Sequence, residues 1–147
     1  MTETLTIYCD QFLSYTPAQV WKALTTPELI ARWLMPNDFQ LQIGYHFTFQ
    51  NVPIPNVKFG GTVYCEVLGF EPEHWLSFSW IDRGEENGLN SIVTWRLEPE
   101  GEGTHLYLEH AGFDPNHPLQ HLGYQMMSKG WSRLLQHIAD ILAEEVN

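Results

Sequence analysis

Basic side chains are what this chain has least of. Seven Lys and Arg stand against 18 Asp and Glu, a formal net charge of -11. With so few cations to neutralise phosphates, the composition argues against sequence-independent nucleic-acid binding and against attraction to an anionic membrane surface. Long apolar runs are also missing. No stretch approaches the length that spans a bilayer, and the N-terminal MTETLTIYCD has neither a basic n-region nor an apolar h-region. A soluble cytoplasmic protein is the expectation. Cysteine is limited to Cys9 and Cys65, too few for a disulfide framework and not spaced as a metal or redox motif. Both are expected to be reduced strand residues. No nucleophile elbow, phosphate-binding glycine loop or dinucleotide fingerprint is present. The glycine-containing GEENG (84–88) and EGEG (100–103) are acidic turns that would repel phosphate.

Aromatic residues are plentiful: six Trp, six Tyr and eight Phe in 147 residues. The length suits one domain over 1–147, able to bury roughly 68 to 70% of its unfolded surface around a single core. The most organised stretch runs from Pro118 to Val146. Asn116 is a natural N-cap there, and Pro118 sits near the first helical position, where a missing N–H does no harm. Leu119, Leu122, Met126, Trp131, Leu134, Leu135, Ile138 and Leu142 recur at helical spacing and predict one long helix with an apolar stripe. Gly123 and Gly130 interrupt it, each at a cost of about 1 kcal/mol relative to alanine. Gly130 shares a face with Met126 and Leu134, so it either admits a neighbouring backbone or leaves room for something else.

Upstream, Leu5 to Phe12 reads as a strand. Thr16-Pro17-Ala18-Gln19 carries the capping-box signature and starts a short helix burying Val20, Trp21 and Leu24. Thr26-Pro27-Glu28 starts a second, with Leu29, Ile30 and Trp33, that ends before Pro36. The period then changes to two. Phe39 and Leu41, then Tyr45, Phe47 and Phe49, predict two strands joined through Gly44. NVPIPN (51–56) reads as a loop because its prolines cannot donate to a ladder. Thr62 to Phe70, Trp75 to Trp80, Ser91 to Glu98 and Thr104 to Phe113 complete the strands, with a bulge expected near Cys65. In the last three, Leu76, Phe78, Trp80, Val93, Trp95, Leu97, Leu106, Leu108 and His110 mark one apolar face. Ser77, Ser79, Thr94, Arg96, Tyr107 and Glu109 mark a polar one, as in an antiparallel sheet covered on one side.

The order strand, two short helices, strands, long C-terminal helix resembles the α+β helix-grip fold of the START and birch-pollen-allergen-like (SRPBCC) superfamily. That fold is a curved antiparallel sheet of six to seven strands wrapped around the last helix. TPAQVWKALTTPELIARWLMP (16–36), GGTVYCEVLGFEPEHWLSFSW (60–80), SIVTWRLEPEGEGTHLYLEHAGF (91–113) and GWSRLLQHIADIL (130–142) narrow the resemblance. Nearly end to end they resemble the bacterial single-domain proteins grouped as activator of Hsp90 ATPase homologues. The superfamily resemblance implies one of several roles: enclosing lipids or aromatic compounds, cyclising polyketides, or joining a co-chaperone of the ninety-kilodalton heat-shock protein. Fold analogy does not choose among them.

Phe47, Phe49, Trp80, Trp95, Met126, Met127 and Trp131 would converge between sheet and helix, with Gly130 as a gap and His110 as a polar point. Such a set suits a ligand pocket, mostly apolar with few polar groups, and equally suits a packed core. His110 has two readings, a donor or general base facing a ligand, or a core histidine with internal hydrogen bonds. His117 and His121, with Asp114 and His110 nearby, lack an HExxH or cysteine companion; no metal and no cofactor is expected. Glu66, Glu71 and Glu109 are read as strand residues facing water. The leading reading is a non-enzymatic protein that binds a small apolar or aromatic ligand between sheet and helix. The alternatives are a chaperone-associated interaction module, and a cyclase or hydrolase using His110 in the same cavity. Monomer and homodimer are both open.

Overall fold

The computed structural model describes residues 4–146 except 52, 54, 56–59 and 83–86. The expected proline loop at 51–56 therefore lies partly outside the described residues. β1 (Leu5–Leu13) leads into α1 (Pro17–Thr25) through a complete capping box. Gln19 N donates to Thr16 Oγ1 at 3.2 Å, and Thr16 N donates to Gln19 Oε1 at 2.8 Å. Two backbone donors that the helix itself cannot satisfy are thus paired locally. α2 (Pro27–Trp33) follows at once, and the two helices bury Val20, Trp21, Ala23, Leu24, Leu29, Ile30 and Trp33.

β2 (His46–Gln50), β3 (Thr62–Glu71), β4 (Trp75–Ile81), β5 (Asn90–Glu100) and β6 (Gly103–Phe113) join β1 in one antiparallel sheet, ordered β1-β6-β5-β4-β3-β2. The sheet curves around α3 (Pro118–Val146), which closes its inner face. Strand alternation places the nine expected apolar-face residues inside, Leu76 and Val93 at 0% exposure among them. The outer face carries polar pairs instead. His105 Nε2 lies 2.6 Å from Asp10 Oδ2 and its Nδ1 3.2 Å from Glu100 Oε2; these bonds, to Asp10 first, raise its pKa above the usual histidine range.

Three local readings change. The segment 39–45 is not a strand. The outer edge of β2, which a partner strand would need, is taken by residues 36–38: Asn37 bridges Phe49, Gln50 N donates to Pro36 O at 3.0 Å and Thr48 N to Asp38 Oδ1 at 2.7 Å. Residues 39–45 therefore fold into a turn, with Phe39 N held on Asn37 Oδ1 at 3.1 Å. The bulge expected near Cys65 falls at Leu68: Val67 faces Phe78 and Gly69 faces Ser77, so Leu68 is the extra residue. Glu66, between buried Cys65 and Val67 and opposite His46 of β2, faces outward, 3.7 Å from that histidine. The cap of α3 is His117, not Asn116. His121 N donates to the His117 carbonyl at 2.9 Å, and Gln120 N to His117 Nδ1 at 3.4 Å, while Asn116 N turns back to Asp114 Oδ1.

Candidate functional site

The apolar stripe of α3 divides in two. In the C-terminal half Trp131, Leu135, Ile138, Ile141 and Leu142 are buried. Between 118 and 130 only Gln120 is buried, and Leu122 and Met126 are exposed. The reason is where the helix is anchored. Its C-terminal half is tied to β1 by Ser132 Oγ on Cys9 Sγ at 3.6 Å and by Gln11 on Gln136 at 3.3 Å, and to α2 by Arg32 paired with Glu144 and Glu145. The N-terminal half is tied further out, by Gln120 Nε2 donating to Asn87 O at 2.9 Å in the turn after β4, and a cavity of about 300 Å³ lies beneath it.

Val63, Trp80 and Leu89 form the sheet wall of this cavity, with Phe113 at the end of β6. Gly123, Met126, Met127, Gly130, Trp131 and Leu134 form the helix wall, and Leu34 and Met35 close a side. A Cβ built on Gly123 or Gly130 meets nothing within 4 Å. The two glycines thus border open space, not a neighbouring backbone. Asn51, Asp82, Asn87 and Gln120 supply the polar part of the lining.

Of the residues singled out in the sequence, Trp80, Met126, Met127, Gly130 and Trp131 come together around the cavity. Phe47, Phe49, Trp95 and His110 stand behind it in packed core and do not line it. Phe47 packs edge-on against Phe49 and Phe78, with centroids 5.4 and 5.5 Å away, and Trp95 against Trp131 at 5.7 Å. Such edge-to-face pairs add about 0.5–1.5 kcal/mol each beyond area burial. The interior is therefore solid ring packing at one end and open at the other.

His110 is fully buried and joins the two walls. Trp131 Nε1–H donates to His110 Nδ1 at 3.0 Å, which leaves the ring proton on Nε2 to donate to Ser91 Oγ at 2.8 Å. Ser91 Oγ donates in turn to the Trp80 carbonyl at 2.7 Å. Burial pushes the pKa of His110 down to about 3. Both ring nitrogens are engaged and neither faces the cavity, so the imidazole has no nitrogen to offer a substrate. Burial also pushes the Cys65 thiol up, away from the reactive thiolate. Among the described residues no three His, Cys, Asp or Glu side chains are placed to hold a metal ion.

Sequence reasoning missed Asp82, Asn87 and Gln120. The signal was available for Asp82, which continues the inward series Leu76, Phe78, Trp80 at 6% exposure. Its backbone N–H donates to Leu89 O at 2.9 Å, one step beyond the ends of β4 and β5. Ending the strand at Trp80, ahead of the acidic turn 84–88, hid this position.

A curved antiparallel sheet gripping one long helix, with the interior partly open, defines a helix-grip protein. Residues 14–143 match the family described as activator of Hsp90 ATPase homolog 1-like protein, and the chain belongs to that family. Protein MLL2253 from Mesorhizobium loti is similar at 34% identity and a TM-score of 0.84, over 95% of this chain and 98% of that one. DynU16, of the dynemicin biosynthetic locus, is similar at 22% identity and 0.74, over 94% of this chain and 47% of that one. The Aha1 dimer from Colwellia psychrerythraea is similar at 15% and 0.73, over 94% and 96%. The latter two share the fold alone. No curated protein matches the sequence. Among the described residues no helix is long and apolar enough to cross a membrane.

Proposed function

We propose that this protein encloses a small, flat, apolar molecule between the sheet and the N-terminal half of α3. The carrying observation is the cavity of about 300 Å³ bordered by Gly123 and Gly130. An engineered apolar cavity of about 150 Å³ accepts benzene, so this one has room for two fused rings. Its volume is at the lower end of small-molecule sites, and its mostly apolar lining has their character. Trp80 and Trp131 form part of the wall, and a bound ring would quench them. Titration with naphthalene is expected to quench tryptophan emission saturably at one site per chain. Quenching that grows linearly without saturation would sink the proposal.

A second reading, contact with a chaperone, is favoured by the outer sheet face. Tyr8, Leu68, Trp75 and Ile92 are exposed there, and the Arg96 guanidinium lies 4.5 Å over the Tyr107 ring. Exposed aromatic and arginine side chains are the types enriched at protein interfaces. This reading predicts that purified Hsp90 retains the protein at micromolar concentration and that Trp75→Ala weakens the retention. No complex at that concentration removes its support.

A further inference from the structure

Resting on the cavity reading above, we propose that Met126 is a site of oxidation by peroxide, and that its sulfoxide weakens the hold of the cavity on an apolar guest. Apart from Met1, which lies outside the described residues, every methionine of the chain borders that cavity: Met35, Met126 and Met127. Their access to water differs. Met35 is 9% exposed, Met127 is half-buried and Met126 is 41% exposed. Met126 also stands in a notch of its own helix. Gly123 lies three residues before it and Gly130 four after, the positions whose side chains would cover its flanks, and a Cβ at either meets nothing within 4 Å. A small oxidant therefore reaches this thioether from solvent, while the same side chain borders the cavity.

The chemistry is an oxygen-atom transfer. The sulfur lone pair attacks one oxygen of hydrogen peroxide, and the O–O bond breaks as the S–O bond forms. The proton on the transferred oxygen passes to the departing one, which leaves as water. Sulfur gives up two electrons and the peroxide takes them. A flexible apolar side chain thereby becomes a polar one, in a lining that it shares with Leu34, Met127 and Leu134. A guest lying against the sulfoxide strips water from its oxygen. A sulfoxide turned outward to keep that water no longer covers the guest. Affinity falls by either route. The fold is spared, because α3 buries Trp131, Leu135, Ile138 and Leu142 in its C-terminal half and Met126 is not part of that core.

The test treats the full chain with dilute hydrogen peroxide, removes the excess with catalase, and follows oxygen uptake at each methionine by peptide mass spectrometry alongside tryptophan quenching by naphthalene. Met126 is expected to be converted first, and the affinity to fall about tenfold in step with it while the circular dichroism of the fold persists. Methionine sulfoxide reductases of both epimer specificities are expected to restore the affinity, which dithiothreitol alone does not, separating Met126 from the thiol of Cys9. In Met126→Leu, whatever its own affinity, the ratio of treated to untreated affinity is expected to stay within about twofold of one. Full conversion of Met126 in the native protein with unchanged affinity overturns the proposal, whether or not the variant binds. So does oxidation of Met35 or Met127 ahead of Met126, or a folded Met126→Leu that loses as much affinity as the native chain. If naphthalene does not quench the untreated protein saturably, the cavity reading itself has failed, and the mass spectra still test the order of oxidation on their own.

Discussion

Replacing His110 with alanine is expected to lower the stability of the fold by about 3–5 kcal/mol, the sum of a core cavity and a buried indole N–H left without its acceptor. The imidazole is in ring contact with Phe113 at 4.8 Å and Trp80 at 5.4 Å, so its loss empties space that neighbouring rings cannot refill. His110→Phe separates the two effects. It restores the volume and still leaves Trp131 Nε1–H unpaired, for an expected loss of about 1–3 kcal/mol. The pH dependence supplies an independent check. The folded pKa is depressed to about 3 from an ordinary 6.5. Below 6.5 the unfolded chain takes up a proton at this position and the folded chain does not. The stability it contributes is therefore full above pH 6.5 and falls as pH drops toward 3, by up to about 1.4 kcal/mol per pH unit. The difference in unfolding free energy between the native protein and His110→Phe should narrow by about 2 kcal/mol from pH 7 to pH 5. Denaturant titrations at the two pH values measure it. A difference that does not change with pH would show that the imidazole is not held neutral in the core.

This role for His110 marks the boundary of what the sequence made legible. Its position on the inward face followed from period-two alternation with Leu106 and Leu108, because a strand has only two sides. Its partners did not follow, since Ser91 and Trp131 reach it from β5 and α3 across tertiary distance. The same division holds elsewhere. The Thr16–Gln19 capping box was readable because all its chemistry lies within four residues. The turn at 39–45 was not, because residues 36–38 take the outer edge of β2 that a partner strand would need: Asn37 bridges Phe49 and Gln50 N donates to Pro36 O. Helical periodicity gave α3 an apolar face and was silent about what that face meets. Phe47, Phe49 and Trp95 are written in the same apolar alphabet as Trp80 and Met127, yet the first three pack against rings and the other two border open space. Hydrophobicity reports removal from water; it does not distinguish a filled interior from one left open for a guest.

Gly130 is where that distinction is tested most directly, and Gly130→Leu is expected to abolish naphthalene binding while the fold persists. Glycine in a helix interior costs about 1 kcal/mol relative to alanine, and the usual compensation is a neighbouring backbone that a Cβ would strike. Here no such neighbour lies within 4 Å, so the substitution relieves the helix without a clash at the Cβ. The remaining leucine carbons enter the cavity alongside Trp131 and Met127 and occupy the volume a ring would fill. Stability should stay level or rise by up to about 1 kcal/mol, and affinity should fall by more than about tenfold, a change of about 1.4 kcal/mol or more. Gly123→Ala, at a site equally free of contacts, adds a single methyl and should have the smaller effect on affinity. Thermal unfolding and the quenching titration, run on the same preparations, give both numbers. A folded Gly130→Leu protein that binds naphthalene as tightly as the native chain would place the ligand somewhere other than beneath α3. A variant that fails to fold would instead show that the space at Gly130 is not open. The two outcomes separate a cavity kept open by a missing side chain from a core that only lacks one.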